Sequence, residues 1–403
     1  MIVIKKDGTE QQFNIEKVIT AVGKSATRCM RELTDTEKSN IRNSVTNMAV
    51  QYAHDNDGKI PINIMHIFAE KALDEIDESI AKAYREYRNY KQEFCEMLDS
   101  VYTKSQAIRY IGDVSNANTD SAMISTQRSL IYGQLNKNLY QKFFLNKEDL
   151  QATNDGYIYI HDMKDRLDGF NCILFDISNV LSGGFEMGNQ WINEPKSLSA
   201  AFNVISDITM SAASQQYGGF TLPRIDTVLA KYAEKSYSIY YQEYLSIIGQ
   251  WQIVDEDMLR AADKYAERKI ERDFEQGFQS WECTFNTVGS SRGDYPFIAC
   301  SFGIDTSRWG VMATRVICRV RKNGQGKEGH KKVVLFPKLN FLYDENLHGI
   351  GKPYEYLFNE AIECSMKAMY PDYVSLTGEG YIPSMYKKYG KVISLMGRDL
   401  LPM

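Results

Sequence analysis

No run of about 18 apolar residues, the length a membrane-spanning helix needs, interrupts this chain of 403 residues. A basic excess is lacking too. Its 47 Lys and Arg stand against 52 Asp and Glu, so the net charge is −5 and the positive footprint of a nucleic-acid binder is missing. A secretory leader is not legible, because Ile2-Val3-Ile4 is too short an apolar stretch and Lys5-Lys6-Asp7 follows at once. The seven cysteines are odd in number, scattered, and never in a C-x-x-C pair, which argues against a disulfide framework and a zinc ribbon. These absences predict a reducing, cytoplasmic setting without membrane or nucleic-acid partners, with most thiols buried as small hydrophobes. No metal ligand set is visible: His161 has no second His, Cys or carboxylate at a ligand spacing.

What is present is ordinary globular material, 43% hydrophobic and 25% charged, enough for two to three domains. Residues 1 to about 95 read as a hairpin followed by helices. Ile2 to Lys5 is strand-like, Lys6-Asp7-Gly8-Thr9 turns, and Gln11-Gln12-Phe13 returns. Asn14 is placed to cap a helix with an apolar face of Ile15, Val18, Ile19 and Val22. Further helices are expected after Asp35, from about Asn63, and from about Ser79, with a loop at Asp55 to Gly58.

From about residue 100 the texture becomes alternating strand and helix, which implies a mainly parallel α/β architecture. The expected strands are Tyr157 to Ile160, Phe297 to Cys300, Lys332 to Phe336 and Lys391 to Gly397. The expected helices are Ser197 to Gln215, Asp226 to Ile248 and Asp255 to Gln276. The charges from Glu267 to Glu275 read as a solvated face.

Three lysines on a surface hairpin mean no more than exposure by themselves. Here, however, Val3-Ile4-Lys5-Lys6-Asp7-Gly8, Phe13-Asn14, Lys17 and Tyr84-Arg85-Glu86-Tyr87-Arg88 come in an order that resembles the ATP-cone, a regulatory nucleotide-binding domain. The resemblance implies that Lys5, Lys6, Asn14 and Lys17 surround the triphosphate of ATP or dATP, acting as allosteric effectors. A helix start adds free N–H groups and partial positive charge.

The second region carries Asn116 to Ser121, Ser125-Thr126-Gln127-Arg128, Tyr159-Ile160-His161-Asp162, Phe170-Asn171-Cys172 and Gly183 to Asn189. It continues with Pro195-Lys196-Ser197, Tyr217-Gly218-Gly219, Arg224-Ile225-Asp226, Phe336-Pro337-Lys338-Leu339 and Met369-Tyr370-Pro371-Asp372. In this order they resemble the anaerobic, glycyl-radical ribonucleoside-triphosphate reductases. The fold implied is α/β: a small, mainly helical ATP-cone (1–95), an incomplete ten-stranded barrel (100–397), and a tail (398–403) outside the family.

The resemblance implies reduction of ribonucleoside triphosphates by radical chemistry, with formate as terminal reductant. Cys172 matches the cysteine that donates hydrogen, though on composition alone it is a buried inert thiol. Asn171, His161, Ser125, Thr126 and Gln127 match positions around the substrate. Lys196 matches a lysine of the specificity-effector site near a homodimer interface, or is simply an exposed residue at a helix start. The acid expected three positions before it is Asn193, with Glu194 beside it.

After Met396-Gly397 the family has its thiyl cysteine, and this chain has Arg398. That cysteine, a four-cysteine zinc site and the glycyl-radical loop installed by a radical-SAM activase are all expected beyond this point. The break is sharp, which predicts an interrupted gene, a frameshift or a truncation. The DNA past codon 397 tests this, since an interruption requires a frame that resumes with the cysteine and the radical loop. The alternative function is a catalytically incomplete nucleotide-binding and dimerisation fragment completed by a separate C-terminal part. A repressor carrying the same cone would need a zinc ribbon, and none is legible.

Overall fold

The computed structural model describes residues 1–111, 123–167, 169–249, 255–287, 289 and 295–390. The Asn116 to Ser121 motif, the strand expected at 391–397 and the tail from Arg398 lie outside them. The chain divides into two compact units, Met1–Thr103 and Lys104–Met403.

In the first unit the expected hairpin forms. Strand β1 (Ile2–Ile4) pairs antiparallel with β2 (Glu10–Gln12), and the Asp7 carboxylate accepts the Thr9 N–H at 3.0 Å to close the turn. Gly8 takes φ 82°, a value that favours glycine. Asn14 caps α1 (Ile15–Arg28) by accepting the Glu16 N–H at 2.9 Å. Helix α2 (Asp35–Asp55) starts from a reciprocal Thr34–Glu37 capping box. Strand β3 (Lys59–Pro61), unforeseen, joins β1 in parallel, and α3 (Ile62–Asp74) follows it directly. Helix α4 (Glu78–Ile111) runs well past the expected boundary at 95. Val3, Val22, Ile41, Ile60 and Leu73 form the core of this unit.

The second unit opens with α5 (Ile124–Phe143) and α6 (Lys147–Asn154). Tyr157 to Ile160 is not a strand: the Tyr157 N–H returns to the Ala152 carbonyl at 2.9 Å, and Tyr157 and Tyr159 are exposed. Then come β4 (Ile173–Leu174), α7 (Ile177–Leu181), and a small hairpin of β5 (Phe185–Met187) with β6 (Gln190–Ile192). Gly184 is required there. Its φ is 86°, and a Cβ would sit 2.6 Å from the Ile192 carbonyl oxygen.

Helix α8 (Leu198–Ala213), β7 (Phe220–Leu222), α9 (Ile225–Ile248), α10 (Glu256–Thr287) and β8 (Ile298–Phe302) follow. The chain continues through α11 (Arg308–Asn323), β9 (Lys338–Tyr343), α12 (Glu345–His348), α13 (Glu355–Ala368), β10 (Asp372–Ser375) and α14 (Tyr381–Tyr389). Strands β10-β9-β8-β7-β4 lie in that order as one parallel sheet, the α/β architecture expected.

Two further expectations give way. Lys332 makes only an isolated bridge to Gln325, and the strand starts at Lys338 instead. The preceding segment is claimed by side chains: Asn286 donates to the Phe336 carbonyl at 2.6 Å and accepts the Phe336 N–H at 3.0 Å. The charged stretch of α10 is not merely solvated either. Glu271 pairs with Arg319 at 2.7 Å, Glu267 pairs with Arg308 at 3.3 Å, and Asp273 accepts the Tyr240 hydroxyl at 2.7 Å.

One face of the sheet is apolar and lies against helices, with Phe220, Leu222, Ile298, Cys300, Leu339 and Phe341 all in a single core. A buried ion pair supports this face. Arg321 donates to Glu282 at 2.6 Å and to the Pro337 carbonyl at 2.7 Å, joining α11, α10 and the entry to β9.

Candidate functional site

In the first unit the basic residues gather around a histidine. Lys5 and Lys6 leave β1 into the hairpin turn, and Arg88 and Lys91 stand one helical turn apart on α4. His66 on α3 is half-buried, with Nδ1 2.8 Å from the Tyr84 hydroxyl. Burial lowers the His66 pKa, and the charges of Arg88, Lys6, Lys5 and Lys91 lower it further. Burial also pushes the Tyr84 phenol up to about 12. Glu70 holds Arg88 at 3.0 Å and also pairs with Arg85. Among the described residues Lys5, Lys6 and Lys91 have no carboxylate partner, so the cluster carries surplus positive charge.

Asn14 spends its side chain on the α1 cap, and Lys17 is exposed one turn into that helix. Sequence reasoning missed His66 and Lys91. The spacing of Arg88 and Lys91 was the available signal, whereas the approach of His66 depends on how α3 meets α4. A groove of about 580 Å³ lies elsewhere in this unit, lined by Arg28, Cys29, Lys82, Tyr87 and Tyr90, and includes none of the predicted lysines.

In the second unit Asn171 and Cys172 lead into β4. The Gly219 N–H donates to Cys172 Sγ at 3.2 Å, and Ile173 N–H donates to the Gly219 carbonyl at 2.9 Å. The thiol is exposed. Gly218 makes this approach possible. A Cβ there would sit 2.5 Å from the Cys172 nitrogen, 2.6 Å from Asn171 Oδ1 and 2.7 Å from Cys172 Sγ. The Tyr217-Gly218-Gly219 motif is therefore the cradle of the Asn171-Cys172 motif.

The other predicted residues stand on separate segments. Ser125, Thr126 and Gln127 occupy the first turn of α5, with Thr126 fully buried. His161 is largely exposed and its Nδ1 contacts the Asp162 carboxylate, while its carbonyl accepts Arg166 Nε at 3.1 Å. Lys196 is exposed just before Ser197, the cap of α8, and among the described residues it forms no ion pair. Its neighbour Glu194 is the organised one, pairing with Lys231 at 2.8 Å and Lys235 at 2.9 Å and accepting the Gly183 N–H at 3.1 Å. Those two lysines first, and then that N–H, bring the Glu194 carboxyl down to about 2.

Asp226, at the start of α9, is wholly buried. One oxygen accepts the Gly303 N–H at 2.8 Å and the Asp305 N–H at 3.1 Å, and among the described residues Oδ1 has no partner. Burial pushes its pKa up to about 6 against those two donors.

Residues 115–398 match the family model described as anaerobic ribonucleoside-triphosphate reductase, and residues 1–93 match that of the ATP cone domain. The anaerobic ribonucleoside-triphosphate reductase of Haemophilus influenzae is 31% identical over 409 residues, covering 100% of this chain and 54% of the relative. That of Enterobacteria phage T4 is 35% identical over 264 residues, covering 64% of this chain and 41% of the relative. A crystal structure of the anaerobic ribonucleotide reductase from Thermotoga maritima is similar at TM-score 0.43 and 16% identity, covering 72% of this chain and 54% of that one. The chain spans about half the length of the curated relatives it matches. With an ATP cone ahead of the matched reductase region, this chain belongs to the anaerobic ribonucleoside-triphosphate reductase family.

Proposed function

We propose that this chain is the N-terminal half of an anaerobic ribonucleoside-triphosphate reductase, with a nucleotide-regulated cone and the reducing side of the active-site cavity. The observation that carries the proposal is Cys172, an exposed thiol fixed by the Gly219 N–H at 3.2 Å and packed on a glycine that admits no side chain. Such placement suits a thiol that must meet substrate, since a cysteine kept only for packing is normally buried.

In this proposal the rest of the enzyme supplies a thiyl radical that takes the ribose 3′ hydrogen. Cys172 supplies a hydrogen atom as the 2′ hydroxyl leaves as water, and formate, oxidised to carbon dioxide, provides the reducing equivalents. Asn171 hydrogen-bonds the substrate beside Cys172. His161 and the first turn of α5, with Ser125, Thr126 and Gln127, take the flanking positions. Holding these groups in place is the chain's own contribution to the chemistry.

The cone binds ATP or dATP through Lys5, Lys6, Arg88 and Lys91, with His66 among them and Lys17 reaching in from α1. Lys196 and the Glu194–Lys231–Lys235 cluster serve the specificity effector in a homodimer, and a radical-SAM activase acts on the remainder. Among the described residues no group of His, Cys, Asp and Glu side chains is arranged to hold a metal ion. The zinc site implied by the resemblance belongs to the family region beyond them. The setting is a reducing, cytoplasmic one.

A second reading has its own support: the chain covers 53–54% of its bacterial relatives. In that reading these residues act as a nucleotide-binding and dimerising part, and turnover needs the remaining half, continuous or separate. Anaerobic assay of the chain with a C-terminal half, after activation, separates the two when native protein is compared with Cys172→Ala. Turnover lost in the variant while nucleotide binding persists contradicts the second reading, and turnover undiminished in the variant contradicts the first.

A further inference from the structure

A single peptide group connects the Cys172 thiol to a buried side chain. The sulfur accepts the Gly219 N–H at 3.2 Å, and that N–H shares one rigid plane with the Gly218 carbonyl. On the carbonyl side the plane is met by Gln216, whose Nε2 donates to the Gly218 oxygen at 3.2 Å. Amide, peptide and sulfur form one line of hydrogen bonds in which each bond polarises the next.

This peptide needs an anchor. Glycine stands on both sides of it, and glycine takes either hand of backbone conformation at little steric cost. A turn of the plane would remove the N–H from the sulfur and face a carbonyl oxygen toward it. The backbone on either side is already tied to the neighbouring segment. Tyr217 N–H donates to the Phe170 carbonyl at 2.8 Å, and the Gly219 carbonyl accepts the Ile173 N–H at 2.9 Å. Neither bond involves the peptide between Gly218 and Gly219, which Gln216 holds by its oxygen. Glutamine is a poor residue for packing alone at this position. It is only 4% exposed, and among the described residues its Oε1 has no hydrogen-bond partner. A buried amide oxygen without a partner costs free energy that an apolar side chain of similar length avoids. What the position gains from glutamine is the donor.

We propose that Gln216 is a positioning residue for Cys172, locking the Gly218–Gly219 peptide so that its N–H faces the sulfur. With the sulfur accepting from Gly219, the thiol hydrogen is directed away from this backbone. In the reductase function proposed above, on which this role rests, that hydrogen is the one Cys172 supplies to the substrate.

The test labels the glycines of the full chain with carbonyl carbon-13 and nitrogen-15. Only Gly183-Gly184 and Gly218-Gly219 are consecutive glycines, so two peptide groups give directly coupled carbonyl–amide signals. Gly183→Asn removes the first and identifies the second, since asparagine tolerates that glycine's φ of 80° and a Cβ there meets nothing. Gln216→Met keeps the length and loses the donor. In it the Gly219 amide proton and the Gly218 carbonyl carbon should both move upfield, with the melting temperature unchanged. In Gln216→Glu the native positions should return on acidification, when the carboxyl can donate, and be lost as it ionises. With a C-terminal half and activation, Gln216→Met should lower kcat roughly ten- to a hundredfold and leave KM unchanged. Unmoved Gly218–Gly219 signals in both variants overturn the proposal, and so does a native kcat in Gln216→Met. Absence of turnover in the native enzyme counts against the reductase function instead, because the glycine signals are read without it.

Discussion

The backbone N–H of Gly219 donates to the sulfur of Cys172 at 3.2 Å, while a Cβ on the preceding Gly218 would fall 2.7 Å from that sulfur. The thiol is thus held by one glycine and admitted by another. Gly218→Ala should destabilise the second unit by about 1–3 kcal/mol through overpacking, and should displace Cys172. Thermal unfolding and the rate of Cys172 modification by a thiol reagent, in a chain whose other exposed cysteines are replaced, check this. An unchanged rate and melting temperature would show that the contact does not position the thiol.

In the cone, Lys5→Ala with Lys6→Ala should weaken ATP binding roughly ten- to a hundredfold, by removing charge-assisted contacts to phosphate. Burial first, and then the positive neighbours, lower the His66 pKa and so favour the neutral imidazole in the free cone. A bound triphosphate offsets those charges and raises that pKa, so binding should take up protons and strengthen as pH falls from 7 toward 6. Calorimetry in two buffers of different ionisation enthalpy, together with the His66 proton resonance, measures this. Binding that is indifferent to pH would sever His66 from the site.

Asp226 should make the protein less stable as pH rises. Its folded pKa is raised to about 6, whereas the unfolded carboxyl titrates near its ordinary 3.8. Between those values the folded state binds more protons, so stability falls with increasing pH across that window. Asp226→Asn keeps an oxygen for the Gly303 and Asp305 N–H groups and removes the titration. The melting temperature of the native chain should therefore decline relative to the variant from pH 4 to 6, and parallel curves would contradict the assignment.

The Arg321–Glu282 pair should be costly to break from one side. With Arg321 fully buried, Glu282→Gln leaves its guanidinium uncompensated and should cost about 3–5 kcal/mol. Replacing both by apolar residues of similar volume should recover most of that loss. Chemical denaturation followed through the tryptophans, which include buried Trp281, distinguishes the two variants.

The long helices were legible because apolar periodicity over 16 residues or more is hard to mistake, as in α8, α9 and α10. The cap at Asn14 and the Gly8 turn were legible from residue type. Strands β3, β4 and β7 have only two or three residues each, too few to show an alternation. Val333 and Val334 have strand-forming side chains, but the Asn286 bracket on Phe336 delays the strand to Lys338. Cys172 was legible through its motif, while the reason for the glycines of a second motif 46 or 47 positions later appears only when β4 lies beside β7. His66 was hidden for the same reason, since its partner Tyr84 is 18 residues away.

The most direct test is anaerobic turnover of a ribonucleoside triphosphate by this chain completed with a C-terminal half and activated, comparing native protein with Cys172→Ala. The variant should bind ATP at the cone as the native chain does, yet form no deoxyribonucleotide above background. Deoxyribonucleotide formation at the native rate in Cys172→Ala would contradict the role assigned to that thiol.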